Sequence, residues 1–200
     1  MTSATRRQPP DVRRSMLLEA ARSVIADRGL HATTVRDVAA AGGVAVGTVT
    51  YHFSGIAEVL AGVLELEMQS YSDPIWARAA QAASGRDGLA SLLDGLLAPD
   101  DRAHEHWKLW LDFWTLAAHQ PRYAEWQSRV YRQLHELVER LLTRGVEDGS
   151  LTVDDPAETA VELVALLDGL VVQAYLPGSR LDPARARAVI RRHLQRYASS

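Results

Sequence analysis

The chain has no cysteine, which excludes disulfides, thiolate catalysis and cysteine-ligated zinc. Catalytic signatures are missing as well: there is no Gly-x-Ser-x-Gly, no His-Glu-x-x-His, no Walker loop and no Gly-x-Gly-x-x-Gly. An enzyme is therefore not expected, and no motif asks for a cofactor. His104-Glu105-His106 has the residue types of a metal site. Positions two apart on a helix, however, point roughly 160–200° apart, so no metal is expected there. There is no repeat period, no low-complexity segment and no convincing strand. The N-terminus is polar and has no apolar core segment, so no signal peptide is expected and the chain is read as cytoplasmic.

What is present is a chain of 200 residues with 47% apolar content, enough for a sizeable core and one or two domains. The net charge of −3 conceals an asymmetry. Residues 1–54 hold seven arginines, among them Arg6, Arg7, Arg13, Arg14 and Arg36, against four carboxylates, a net +3 that leaves −6 for the remainder. A basic front on an acidic body suits polyanion binding by the front alone, although a solvated arginine-rich helix would look the same.

The stretch 33–53 organises the front. Thr34 is a good N-cap, with Asp37 three residues on as in a capping box, and Val35, Val38 and Ala39 recur at helical spacing. Gly42-Gly43 ends that run by permitting positive φ. A second short helix fits Val46–His52, with Val49 and Phe53 inward and Gly47, Thr48, Thr50 and Tyr51 outward. Small side chains on that outer face let a helix sit close to base edges in a major groove. Short helix pairs of this kind also occur in helical proteins that never meet DNA. Arg36 can reach a guanine edge or a phosphate, Thr48 and Thr50 can hydrogen-bond bases or touch a thymine methyl, and Val46 offers apolar contact. Tyr51 and His52 read as phosphate clamps; a surface threonine at Thr50 and a packing histidine at His52 are the alternatives.

The stretch Gly43-Val44-Ala45-Val46-Gly47-Thr48-Val49-Thr50-Tyr51-His52-Phe53 resembles the N-terminal domain of the TetR family of transcriptional regulators. In that resemblance Gly43, Val44, Gly47, His52 and Phe53 fall on signature positions, and Arg36 falls where a base reader would sit. The chain departs at Ala45, where the family usually has a serine cap, at Thr50, where tyrosine is frequent, and at Ile56. The last replaces the lysine that usually opens the fourth helix and touches a phosphate.

Further along, Pro10 opens helix 1, and Leu17, Ala20, Ala21, Val24 and Ile25 follow the helical template. Residues 1–9, with Arg6-Arg7, read as a disordered arm. Ser54 reads as the cap of helix 4, whose Ile56, Val59, Leu60, Val63 and Leu64 repeat the template and make it the link between head and body. Ser70 to Pro74 breaks the pattern. Ser84 to Asp87 reads as a capped start for 88–97, a tryptophan-rich helix spans Asp101–His119, and Pro121 begins a long helix to about 148. Asp155-Pro156 and Asp182-Pro183 announce two more helices. The sum is an all-α chain of about nine helices: an N-terminal three-helix helix-turn-helix DNA-binding domain over 1–54, and a larger helical effector-binding and dimerisation domain over 55–200.

The run 156–176 is apolar almost all round and must be covered on two sides. Glu162 and Asp168 argue against a membrane span. A homodimer interface explains it, with Leu163, Leu167, Leu170 and Val171 shared between its own body and a symmetry mate and Ala188 alongside; TetR-family resemblance implies such a four-helix interface. Trp107-x-x-Trp110-x-Asp112-Phe113-Trp114, Pro121-Arg122, Tyr131-Arg132 and the Leu-Leu-Asp-Gly-Leu of 166–170 resemble the C-terminal domain of betaine-operon (choline-responsive) type repressors.

All five tryptophans fall between 76 and 126, and Trp107, Trp110 and Trp114 share a helical face. With Tyr71 and Tyr131 nearby they read either as a helical core or as the wall of a pocket. Aromatic faces with a carboxylate suit a cationic or flat aromatic ligand. Asp168 is the acid candidate, or else the partner of a buried arginine or a helix N-terminus, and Gln173 can supply a hydrogen bond to the same cavity. The expectation is a homodimeric, ligand-responsive regulator, a repressor that binds a palindromic operator in double-stranded DNA and is released by a small molecule. Its rivals are a DNA-binding regulator with no small effector and a helical enzyme or carrier with a vestigial helix-turn-helix.

Overall fold

A computed structural model describes residues 9–199; the expected arm with Arg6 and Arg7 lies outside them. The described residues form ten α-helices, one π-helical turn and one 3-10 turn, and their one β-type pairing is a single antiparallel bridge between Leu151 and Ala198. Contacts divide the chain into two compact units between Met68 and Gln69.

The first unit contains α1 (Pro10–Arg28), α2 (Val35–Ala41), α3 (Val46–His52) and α4 (Ile56–Glu67). Pro10 takes the first position of α1, where a missing N–H costs nothing. Leu17, Leu18, Ala21 and Ile25 line its buried face, and α2, α3 and α4 all pack on it. The capping box at α2 is complete: Thr34 accepts from the Asp37 N–H while the Asp37 carboxylate accepts from the Thr34 N–H. Between α2 and α3 Gly43 has φ +61°, the left-handed region that a side chain disfavours. Because Val59, Leu60, Val63 and Leu64 are buried, α4 belongs by packing to this unit, whereas the expected boundary after 54 follows the DNA-binding motif.

Ser54 does not cap α4. Gly55 holds the N-cap position without a side-chain bond, and the Ser54 N–H and hydroxyl instead donate to the Glu58 carboxylate at 2.7 and 2.9 Å.

After a π-helical turn over Met68–Ser72, the second unit comprises α5 (Asp73–Ala80), α6 (Gly85–Leu96), α7 (Asp101–His119), α8 (Pro121–Glu147), α9 (Pro156–Ala174) and α10 (Pro183–Leu194). The sequence break at Ser70 to Pro74 is thus a widened turn followed by a restart. Pro74 sits in the first turn of α5, where it is tolerated. Ser84, Asp100, Asp155 and Asp182 each accept a backbone N–H as the N-caps of α6, α7, α9 and α10. The long α8 is the spine, with Leu134, Leu137, Val138, Leu141, Leu142 and Gly145 buried along one stripe and α5, α6, α7 and α9 packed on it. Its end is tied to α6: Asp148 accepts from the Gly85 N–H at 2.8 Å, and a Cβ at Gly85 would lie 2.2 Å from the Gly145 nitrogen. No helix among the described residues is long and apolar enough to cross a membrane.

Candidate nucleic-acid interface and aromatic cluster

The α2–α3 pair presents an open face. Val46 and Gly47 are exposed, and a Cβ built on Gly47 would meet nothing within 4 Å. Thr48 is half-buried, Thr50 is exposed with its hydroxyl 3.3 Å from the Gly47 carbonyl oxygen, and Tyr51 is 79% exposed. His52 is half-buried and meets the Tyr51 ring edge-on at 5.1 Å. Val49 and Phe53 face the core. Arg36 is exposed and makes no bond to another described residue, so its guanidinium is available. The Thr34 hydroxyl, by contrast, is already engaged in the capping box.

Two charged side chains of α1 that the sequence did not single out for a role tie it to its neighbours, Arg14 to the end of α3 and the start of α4 and Arg28 to α2. Arg14 lies 4.8 Å from the Phe53 ring centroid and 3.8 Å from the Glu58 carboxylate, and Arg28 bonds Asp37 at 2.9 Å. Hydrogen bonds from Thr34, aided by Arg28, hold the Asp37 carboxyl below its ordinary pKa, and those from Ser54, aided by Arg14, do the same for Glu58. The chain separations involved leave no local signal for these pairings.

In the second unit the aromatic side chains meet along α7. Trp110 stacks on Trp126 at 5.5 Å, Phe113 meets Trp126 edge-on at 5.2 Å, and His106 stacks on Tyr71 at 4.0 Å. The last carbonyls of α6 and the turn after it sort these residues into two groups. Tyr71 donates to the Gly95 oxygen at 3.1 Å, Trp107 to Leu96 at 2.6 Å, Arg187 to Leu97 at 3.0 Å and Tyr175 to Ala98 at 2.9 Å. These four consecutive carbonyls would otherwise end the helix unsatisfied. The polar ends of Tyr71 and Trp107 are therefore structural. Trp110 and Trp114, one turn apart, keep buried indole N–H groups with no hydrogen-bond partner.

Asp168 takes neither of the partners weighed for it. The Tyr131 hydroxyl donates to its carboxylate at 2.6 Å. Burial raises the Asp168 pKa, against the opposing pull of Tyr131 and the His135 charge, and burial together with the carboxylate raises that of Tyr131. The pair borders a groove of about 600 Å³ between α8 and α9 that is also lined by Ser128, His135, Val161 and Ala165. Gln173 does not join it. Five residues beyond Asp168 it lies well round the helix, exposed, with its amide donating to the Gly169 carbonyl at 3.2 Å.

The residues expected at the dimer interface also need correction. Leu163, Leu167, Leu170 and Val171 are all buried within the chain itself, at 5% exposure or less. The open side of α9 is a stripe at i, i+4 spacing, Ala157, Val161, Ala165, Gly169 and Gln173, and Ala188 is exposed on α10. Periodicity identified an apolar helix, but both of its faces are apolar, so composition could not say which one is used internally.

Comparison with known proteins agrees with this architecture. Residues 17–63 match the model for bacterial regulatory proteins of the tetR family, and residues 85–199 match that for the C-terminal part of BetI-type transcriptional repressors. The chain is 26% identical over 190 residues to the HTH-type transcriptional regulator BetI of Escherichia coli K12, covering 93% of this chain and 94% of that one. It is 31% identical over 174 residues to the HTH-type transcriptional repressor KstR2 of Rhodococcus jostii RHA1, covering 83% and 81%. A transcriptional regulator from Saccharomonospora viridis, solved in complex with choline, superposes with a TM-score of 0.86 at 24% identity over 95% of this chain and 99% of that one. With an exposed helix-turn-helix face in its first unit and a C-terminal part that matches the BetI-type model, the chain belongs to the TetR family of bacterial transcriptional regulators.

Proposed function

We propose that the protein is a homodimeric repressor that binds a palindromic operator through α3 and is released when a small, cationic or flat aromatic molecule enters the aromatic cluster on α7 and α8. It acts in the cytoplasm, where its DNA target lies. The observation that carries the DNA half is the open, small-faced surface of α3 beside the unpaired Arg36. Arg36, Val46, Gly47, Thr48 and Thr50 face bases in this reading, Tyr51 and His52 face phosphates, and Thr34 orients α2 by its cap.

Dimerisation is proposed through the open stripe of α9, with Val161, Ala165 and Gly169 at the seam and Ala188 beside it, rather than through the leucines beneath. The effector half is supported by the stacked Trp110–Trp126 pair and the unpaired indoles, together with choline in the Saccharomonospora relative. Helix α4 is followed directly in the chain by the π-helical turn and α5, so it is the element through which a bound effector would change the spacing of the two α3 helices. A ligand can do so only by its differential affinity for the two forms.

The test is a fluorescence-anisotropy titration of a duplex from the promoter beside the protein's own gene, with and without choline. Tight, salt-dependent binding that weakens on adding choline is expected. Unchanged operator affinity under saturating choline overturns choline as effector, and absence of any salt-dependent duplex binding overturns the DNA-binding role.

A further inference from the structure

Few side chains hold α3 to its own unit. Of its seven residues only Val49 is buried, and its N-cap, Ala45, makes no side-chain bond. The next anchor is Phe53, directly after the helix and 2% exposed. What fixes the direction of α3 is therefore concentrated at its far end, where Ser54 and Gly55 link Phe53 to α4. Gly55 is no brace. Its backbone is extended, at φ 165°, and a Cβ built on it would meet nothing within 4 Å.

The brace is Glu58, in the first turn of α4, and both of its carboxylate oxygens are engaged. Oε2 accepts from the Ser54 N–H at 2.7 Å and from the Ser54 hydroxyl at 2.9 Å, while Oε1 lies 3.8 Å from an Arg14 nitrogen. The same guanidinium lies 4.8 Å from the centroid of the Phe53 ring. One side chain thus ties the link to α4 and, through Arg14, reaches the residue that anchors α3. An ionised acceptor makes these bonds stronger than a neutral one would. For a polyanion-binding unit the same charge is a disadvantage, since it weakens attraction to phosphates.

We infer that Glu58 is a positioning residue for DNA recognition: it locks the Ser54-Gly55 link so that α3 and α4 turn as one body, which holds the small-faced turn of α3 at the angle from which bases are read. The inference rests on the DNA-binding reading given above, and Glu58 itself touches no base. Its charge and its geometry then act with opposite signs. The charge lowers affinity for any duplex, whereas the geometry raises affinity for the operator alone.

The experiment compares full-length Glu58→Ala and Glu58→Gln with the wild type by fluorescence anisotropy, on a duplex from the promoter beside the protein's own gene and on a random duplex of equal length. Both variants lose the same charge, but only glutamine keeps an acceptor for Ser54. Affinity for random duplex should rise alike in both, by up to about threefold. The operator-to-random ratio should fall about tenfold in Glu58→Ala, the order of one lost base contact, and by less than about threefold in Glu58→Gln. Hydrogen exchange at the Ser54 amide should quicken in Glu58→Ala and less so in Glu58→Gln. Thermal melts accompany both; should Glu58→Ala not fold, Glu58→Met removes the acceptor while keeping the length of the stem. An unchanged ratio in Glu58→Ala overturns the inference, as does an equal fall of the ratio in both variants, or an equal loss of affinity for both duplexes. A wild type with no preference for the operator overturns the DNA-binding reading together with this inference, whereas a wild-type preference that Glu58→Ala retains overturns this inference alone.

Discussion

Replacing Gly47 by alanine separates what the fold needs from what DNA needs. Gly47 lies in the first turn of α3 with no positive φ, and the added Cβ meets nothing within 4 Å. Within the protein the change is therefore free of strain, and a helical alanine is favoured over glycine by up to about 1 kcal/mol, less near a helix end. For a chain of this length 1 kcal/mol corresponds to roughly 2–4 °C in Tm, so a small rise is expected. At a duplex the same methyl group occupies the space through which the α3 backbone approaches the bases. A loss of about tenfold in operator affinity is the expected outcome, with affinity for random duplex nearly unchanged. Thermal melts and fluorescence anisotropy on the same samples measure both. Unchanged operator affinity would refute the claim that this turn of α3 sits against base edges, and a drop in Tm would refute the claim that its outer side is open.

Arg36→Ala should cost about 1–3 kcal/mol on the operator if the guanidinium reads a base, whereas an equal loss on random duplex would assign it to a phosphate. Tyr131→Phe strips the half-buried Asp168 of its donor and should destabilise the protein by about 1 kcal/mol, read as a lower urea midpoint. Acid should weaken the first unit in a defined window. Asp37 and Glu58 have lowered folded pKa values, so the stability they supply is complete above the ordinary carboxylate range and is lost as pH falls through the folded values. Asp168, whose folded pKa is raised, has the opposite sign, so Asp168→Asn should alter the pH dependence of stability above the ordinary carboxylate range. Ala165→Arg on the open stripe of α9 should convert the proposed dimer to a monomer in sedimentation at unchanged helicity; a dimer that survives it places the interface elsewhere.

How much of this was legible beforehand depended on the range of the physics involved. Thr34, Ser84, Asp155 and Asp182 were readable as caps because an N-cap bonds an N–H two or three residues away, and the side chain alone announces it. The short α5 was not readable, since Ile75 and Ala79 are its only buried apolar positions and Pro74 at its start looks like a terminator. Asp168 was recognised as an acid in need of a partner, but its partner is 37 residues away on another helix. Among the tryptophans the sequence supplied the cluster and not the division of labour. Whether an indole N–H meets a carbonyl at the end of α6, as in Trp107, or meets nothing, as in Trp110, is decided by packing. The same holds for α9, where only the fold selects the leucines for the interior and the small residues for the outside.

The central claim, that two copies of α3 read duplex DNA at a fixed separation, is tested most directly by hydroxyl-radical footprinting of the promoter beside the protein's own gene. The account predicts two protected half-sites related by a two-fold axis, their centres about 34–36 Å apart on one face of the helix, and loss of both in Ala165→Arg at concentrations where the wild type protects. A single protected patch that persists in that variant, or no protection at any concentration, would contradict it.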